Sequence, residues 1–359
     1  MSGIGHYSDT LARALLRCRA GESLVLLTNS RSLSPLLSPA HGDRLVAPGA
    51  GNELWEQLEL PELLTSEGAD LYHNPAFGLP LIKSCRYVAT VHDCIPRLLP
   101  ELASPWLCRF FEQWAPVWLE RADHVICDSQ HTAHDLTHFY GLPPEMMTVV
   151  HQAVNEVFRP ASPEAVLSVR KRYGLDRPYF LVVGRVELRK NVAGVLRAFR
   201  LLQDTDLESH LLVLAGPRDA DAHDPAGLLP PDGRHGDILV TGYVPESELA
   251  ALYTGASVFC FPSFYEGFGR PVLEAMSCGV PVVASRTSSV PEVGGAACRY
   301  VNPYDPQDLA GTLYTVATDN TLRWDMVRQG LTRAAEFTLE RMGREALGVY
   351  HKVLGAALA

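Results

Sequence analysis

The sequence predicts an α/β protein made of two doubly wound, parallel-sheet domains, and three observations carry that expectation. Short apolar runs, partly β-branched, alternate with longer amphipathic stretches along the chain, the rhythm of βαβ units. Several runs stop at a glycine just before a helix-like stretch, as in Tyr179-Phe-Leu-Val-Val-Gly184 and Leu211-Leu-Val-Leu-Ala-Gly216. At 359 residues the chain is long for one core and suits two of ordinary size.

In the first half, Ser2-Gly-Ile-Gly-His-Tyr7 reads as a glycine turn, with Ser8–Leu16 as an amphipathic helix leaving it. In nucleotide-type α/β domains such a turn follows the first strand. There is no room for that strand, so it is expected to be missing. A late start is the preferred reading, over a fragment or a sheet that has lost an inner strand. Elements then alternate through Leu24–Leu27, Asn52–Leu64, Leu71–His73, Arg86–Val91, Val125–Cys127 and Thr148–Val150. Functional positions in such sheets lie just past strand C-termini. That singles out His73 and Asn74, His92 and Asp93, and Asp128 with Ser129, a potential helix cap. Taken alone, a strand-end histidine reads as a satisfied structural group. Trp106, Leu107, Phe110, Phe111, Trp114, Val117 and Trp118 recur at helical spacing. They read either as a core-facing stripe or as a greasy surface for a lipid-linked acceptor or a membrane edge.

A polar, proline-containing stretch at Arg159–Glu164 marks the linker, which places a first domain at 1–158 and a second at 159–339. The second opens on the strand Tyr179–Val183. Arg185 follows with a planar fork of donors and Lys190 with a point charge, a pair that suits a diphosphate. Ile238–Pro245 is a further strand and turn, leading into a helix over Glu246–Gly255. Phe261–Ser285 reads as strand, tight loop, helix, turn and strand. Glu266-Gly-Phe-Gly269 forms the loop, Pro271 fits the first helical turn and Gly279 closes the helix. A helix N-terminus below a glycine loop suits an anion. Glu266 in the loop and Glu274 inside the helix flank it at different heights, so they should serve different groups of one ligand. Thr287–Gly295 is a second glycine-rich turn, and the last helices, about 321–336 and 339–357, are amphipathic.

A formal charge of −10 argues against a general nucleic-acid partner, which needs clustered Lys and Arg. The eight cysteines are scattered with no Cys-x-x-Cys pair, so free thiols in a reducing compartment are expected and no zinc site. No apolar run approaches the roughly 20 residues of a spanning helix, and no signal peptide opens the chain. A soluble cytoplasmic protein is expected, with peripheral contact at the inner membrane face as a further reading.

Glu266-x7-Glu274, Gly184-Arg-x4-Lys190-Asn191 and Thr90-Val-His-Asp93 together resemble the retaining GT-B glycosyltransferases of family 4. Val149–Pro160 resembles that family's inter-domain entry, with Ala153 where a glycine is usual. The resemblance implies two facing Rossmann-like domains, with the donor mainly on the second, the acceptor mainly on the first, and the final helix (about 340–359) crossing back to the first. It implies that Arg185 and Lys190 stabilise the leaving diphosphate, that Gly267, Phe268 and Gly269 hold phosphates or sugar through backbone N–H groups, and that Gly5 approaches from the other domain. It further implies that Glu274 binds the ribose, Glu266 and His92 the donor sugar, and the Val244 segment the base, with His73 and Asn74 as acceptor-side candidates. Asp219-Ala-Asp221 looks like the metal motif of the other large glycosyltransferase architecture. Arg185 and Lys190 already offer the countercharge, so this segment reads as a solvated loop, and neither metal nor cofactor is expected. Similarity to bacterial polysaccharide mannosyltransferases, through Gly3–Tyr7, Leu54–Gln57 and Thr90–Asp93, makes GDP-mannose the first donor to try, with UDP-sugars close behind. Rival readings are a binding-only homologue and a sugar-nucleotide epimerase or phosphorylase of the same fold.

Overall fold

The computed structural model describes residues 3–27, 44–46, 55–218 and 233–355. Asn52–Leu54, Asp219–Asp221 and the last residues of the predicted C-terminal helix lie outside them. The chain divides into two compact units, residues 1–153 with 337–359, and residues 154–336.

In the first unit, β1 (Val25–Leu27) and β2 (Arg44–Val46) form a separate parallel pair. Strands β3 (Leu71–Asn74), β4 (Arg86–Val91), β5 (His124–Cys127) and β6 (Met147–Val149) form a parallel sheet in that order. The apolar runs of β4 and β5 are continuous because both faces are covered. Val88 and Ile126 face Tyr7, Leu11 and Ala14 of the first helix, together with Leu347 and Tyr350 of the C-terminal helix Leu339–Leu354. Tyr87, Ala89 and Val125 face the opposite way, onto Leu60, Trp118 and Leu136. The C-terminal helix runs against the first helix at Gly343, where an added Cβ would stand 2.4 Å from the Ala14 carbonyl oxygen.

The predicted turn at Gly3–Tyr7 is not formed. One helix spans Gly3–Cys18, and neither Gly3 nor Gly5 takes a positive φ. Side-chain anchoring accounts for the difference. The Ser8 and Thr10 hydroxyls donate one turn back, to the Ile4 and His6 carbonyls. Tyr7 is buried with its hydroxyl 3.1 Å from Thr90 Oγ1. Gly5 therefore lies inside a helical turn and not in a loop. The aromatic stripe departs from a single helix in a similar way. Phe110–Trp114 is π-helical between the helices Pro105–Arg109 and Ala115–Leu119. Pro116 has no N–H to donate and its ring crowds the carbonyl one turn back, so the ladder widens and Ala115 N–H reaches the Phe110 carbonyl. The widened turn splits the stripe: Phe111 and Trp118 are buried, while Trp106 and Trp114 are 60% and 54% exposed. Among the described residues, no helix is long and apolar enough to cross a membrane.

In the second unit, β7 (Tyr179–Val183), β8 (Leu211–Ala215), β9 (Gly233–His235), β10 (Ile238–Gly242), β11 (Val258–Phe261), β12 (Val282–Ser285) and β13 (Cys298–Val301) form one sheet. Its order is β13-β12-β11-β7-β8-β10-β9, parallel throughout except for β9, which is antiparallel to β10. Phe180, Val182, Leu212 and Leu214 pack on Val195, Leu196 and Phe199 from the helix Val192–Leu202, and on Leu309 and Leu313. Each such fully buried side chain contributes about 1.5–3 kcal/mol of transfer free energy. From β7 the chain winds outward through β8 and β10, then returns to β11 on the other side and winds out through β12 and β13. The winding reverses between β7 and β11, so the loops after these two strands open a crevice where no crossover helix lies.

Candidate functional site

Both loops at the winding reversal carry charge. After β7, Gly184 takes φ 133° and packs against Lys190, whose Cε would lie 3.2 Å from a Cβ placed there. A larger residue would be strained and would crowd the lysine. The chain continues into the short turn Leu188–Lys190 and then Asn191, a left-handed residue with φ 54°. Asparagine tolerates that conformation, and its side chain is fully used here. Oδ1 caps the helix Val192–Leu202 by accepting from Gly194 N–H, while Nδ2 donates to the carbonyls of Pro262 (3.2 Å) and Pro303 (2.6 Å). Asn191 thus stitches the β7 loop to the β11 loop.

Between them lies a buried charge cluster. Lys190 is 8% exposed, with Nζ 2.7 Å from Glu266 Oε1 and 4.5 Å above the Phe261 ring. Arg189 places a guanidinium nitrogen 2.6 Å from the other oxygen, Glu266 Oε2. Burial alone would raise the Glu266 carboxyl, but the Arg189 and Lys190 charges outweigh it and hold it at about 2. Burial lowers the Lys190 ammonium, and Arg189 adds to that, against the pull of Glu266. The Glu266 backbone is fixed as well: its N–H donates to Ser288 Oγ at 2.9 Å and its carbonyl accepts from Ser289 Oγ at 2.8 Å. Arg185 stands at the same strand end with its side chain exposed.

Glu274 occupies the opposite electrostatic setting. Gly269 takes φ 102° as the N-cap of the helix Arg270–Ser277, so the loop turns sharply into the helix and Glu274 falls just over one turn inside it. Its Oε2 accepts from the Tyr253 hydroxyl (3.1 Å) and its Oε1 from Arg270 Nε (2.8 Å). Burial raises this carboxyl despite the Arg270 charge. One sequence motif therefore supplies a carboxylate held firmly ionised and a second whose charge is disfavoured, the kind of divergence that separates roles. Gly267 is half-buried in the loop and Phe268 is buried. Val244 is buried in the turn between β10 and the helix Glu246–Thr254, beside Tyr243, which is exposed.

The first-unit candidates are all hydrogen-bonded within that unit. His92 Nδ1 lies 2.6 Å from Asp128 Oδ2 and Nε2 donates to the Pro75 carbonyl at 2.9 Å. A carbonyl only accepts, so Nε2 carries a proton, and the Asp128 carboxyl facing Nδ1 favours the doubly protonated, positive ring. Burial opposes that charge, but Asp128 overrides it and the His92 pKa is raised. His73 shares hydrogen bonds with Tyr350 (2.6 Å) and Thr90 (2.8 Å) and, being desolvated, is lowered to about 3. Asn74 ties its own loop together through Ala76 N–H and the Gly78 carbonyl, and Asp93 accepts from Ile95 N–H. The structure thus gathers Lys190, Glu266 and Gly267–Gly269 at one crevice of the second unit, while Gly5 lies in the first helix of the first unit. Arg189, Ser288 and Ser289 were not singled out from sequence. The available signal was their position: each follows a strand whose C-terminus opens on the same sheet edge.

Two family models match the chain, Glycosyltransferase Family 4 over residues 1–158 and Glycosyl transferases group 1 over residues 168–333. An O-antigen chain mannosyltransferase B of Escherichia coli is 33% identical, the match covering 98% of this chain and 96% of that protein. The chain belongs to glycosyltransferase family 4. A serotype-specific mannosyltransferase of the same organism is 30% identical over 74% of this chain, but the match spans only 33% of that longer protein. Among solved structures, Anabaena HepE in complex with UDP and glucose superposes with a TM-score of 0.75 at 18% identity, covering 98% of this chain and 96% of its own. Sucrose-phosphate synthase from Thermosynechococcus elongatus gives 0.76 at 21% identity, with 99% and 94% covered. At such identities the likeness establishes fold. This family 4 glycosyltransferase has the GT-B fold of two Rossmann-like domains.

Proposed function

We propose that this enzyme is a retaining hexosyltransferase that moves mannose from GDP-mannose to a growing or lipid-linked glycan in bacterial polysaccharide synthesis. The observation that carries the donor half of this reading is the buried Lys190 ammonium at the winding reversal of the second sheet, with Arg185 exposed after the same strand. A desolvated cation beside a glycine loop and a helix N-terminus suits the diphosphate of a nucleotide sugar. The mannosyl half rests on similarity to the Escherichia coli O-antigen mannosyltransferase along nearly its whole length.

In this proposal Lys190 and Arg185 stabilise charge growing on the leaving diphosphate, as preorganised cations that need little rearrangement when the bond breaks. Backbone N–H groups of Gly267–Gly269 add to them. Glu266, ionised and held on both oxygens, contacts the donor sugar, and His92 is the first unit's candidate group for that sugar. Glu274 accepts from the ribose hydroxyls after exchanging Tyr253 or Arg270, and the Val244 turn lies against the base. Retention would proceed by front-face attack, the departing phosphate taking the acceptor proton, with no protein nucleophile, metal or cofactor. The protein would work in the cytoplasm, meeting lipid-linked acceptors at the inner membrane face. A panel of nucleotide sugars screened by thermal shift tests the donor, since a ligand that binds only the folded state raises its melting temperature. GDP-mannose should give the largest shift and support transfer or slow hydrolysis, both lost in K190A. A larger shift with a UDP-sugar would replace the donor, and no shift with any member would sink the proposal.

A further inference from the structure

Lys190 has two duties that conflict if Glu266 has no other partner. It neutralises a buried carboxylate in the structure as it stands, and it must also meet an anionic ligand. Counting the close ion pairs, Arg189 and Lys190 are balanced by Glu187 and Glu266, so the cluster presents no net positive charge until one partner is exchanged. A carboxylate as buried as Glu266 cannot simply be left without a cation.

Arg189 is built to stay when Lys190 moves. It holds Glu266 Oε2 at 2.6 Å, leaving Oε1 to Lys190 at 2.7 Å. It also donates to the Tyr265 carbonyl at 3.1 Å and pairs with Glu187 at 2.5 Å, while its own carbonyl accepts from Phe264 N–H at 2.9 Å. Three guanidinium contacts and one backbone bond fix Arg189 between the two loops, a use of its planar fork that a lysine does not reproduce. We propose that Arg189 is a positioning residue of the donor site, which retains the Glu266 carboxylate through Oε2 when Lys190 leaves Oε1 for the donor diphosphate. The inference rests on the donor-site reading above. It adds that the strength of diphosphate binding is set by a residue acting through Glu266.

The test is calorimetric titration of the full chain with GDP and with UDP. K190A should lose at least about tenfold in affinity, having lost the ammonium itself. R189Q should also lose about tenfold, because Lys190 then remains tied to Glu266 as its sole strong counter-ion. E266Q should bind about threefold to tenfold tighter than wild type while transfer activity collapses, since Lys190 is released but the sugar contact is gone. The deciding measurement is the double variant R189Q/E266Q, which should bind like E266Q to within about twofold. R189K, with charge but no fork, should recover part of the loss, and it serves as the second probe if R189Q does not fold. If R189Q weakens binding equally with Glu266 or Gln at 266, Arg189 touches the diphosphate or merely supports the loop, and the inference falls. The same holds if R189Q has no effect. If wild type binds neither nucleotide and K190A changes nothing, the donor-site reading itself fails and takes this one with it.

Discussion

Replacing Asp128 by asparagine should turn His92 from a buried cation into a neutral ring and loosen the centre of the first sheet. Asp128 is 1% exposed, and its Oδ2 serves both His92 Nδ1 at 2.6 Å and Gln152 Nε2 at 2.7 Å. At such a separation and an effective dielectric constant near 20, opposite charges attract by about 6 kcal/mol. Asparagine keeps one acceptor but no charge. The ring must then give up a proton and turn a lone pair toward either Pro75 or residue 128, so about 2–4 kcal/mol should be lost. The pH dependence has a definite sign. Asp128 raises the folded pKa of His92 against burial, with Asp93 adding in the same direction. Among the other groups around the ring, Tyr7 meets it edge-on and His73 lies within electrostatic reach. The stabilisation is thus fully present below the ordinary value of 6.5 and is lost as pH rises through the raised value. Hydrogen exchange of β4 and β5 amides, converted to opening free energies at about pH 6 and about pH 9, reads both effects. Wild type should weaken between the two and D128N should start lower with a flatter profile. An unchanged opening free energy at the lower pH, within about 0.5 kcal/mol, would refute the buried imidazolium.

Three further outcomes are expected. Gly343→Ala gains about 1 kcal/mol of helix propensity, but its methyl would meet the Ala14 carbonyl at 2.4 Å. Backbone against backbone relaxes poorly, so urea unfolding should show a net loss of about 1–2 kcal/mol, and a stabilised variant would mean the two helices are not in close contact. Gly216→Ala puts a Cβ 2.0 Å from the Gly184 carbonyl oxygen at φ 153°. It should cost about 3 kcal/mol or more and weaken nucleotide binding through the Lys190 loop, and a variant with unaltered melting and binding would contradict this. Acid should also destabilise the first unit, because His73 stays neutral down to about 3 and His124 down to about 4, both through desolvation. The unfolded chain takes up those protons from about pH 6.5 downward, so the melting temperature should fall steadily over that range. H73Q should flatten the acid profile in part, His124 supplying the remaining slope, and an unchanged slope would exclude His73.

Much of the candidate site's local structure was legible because local rules and chain order point the same way. Gly184 marks where a strand turns into a charged loop and Gly269 where a loop turns into a helix, and Glu266-x7-Glu274 spans that loop and a helical turn. The α/β class and the C-terminal amphipathic helix follow from hydrophobic periodicity, which is local. Arg189 was not legible, because its carboxylate partner is 77 residues away and the pair meet only through the β7–β11 neighbourhood. Ser288 and Ser289 reach Glu266 for the same reason, through β11 and β12. The start of the chain was misread: glycine content suggested a turn, whereas Tyr7, buried against Thr90, carries the segment into a helix. Pro116 was visible, but its consequence, a widened helical turn that exposes Trp106 and Trp114, depends on which face the core occupies. Sequence alone determined the periodicities, the turn glycines and the order of charged groups along the chain, because these depend on covalent spacing. Tertiary structure alone decided which charges pair, which histidine's pKa is raised and which lowered, and which carboxyl is pushed up, because pKa values and ion pairs depend on burial and on neighbours remote in sequence.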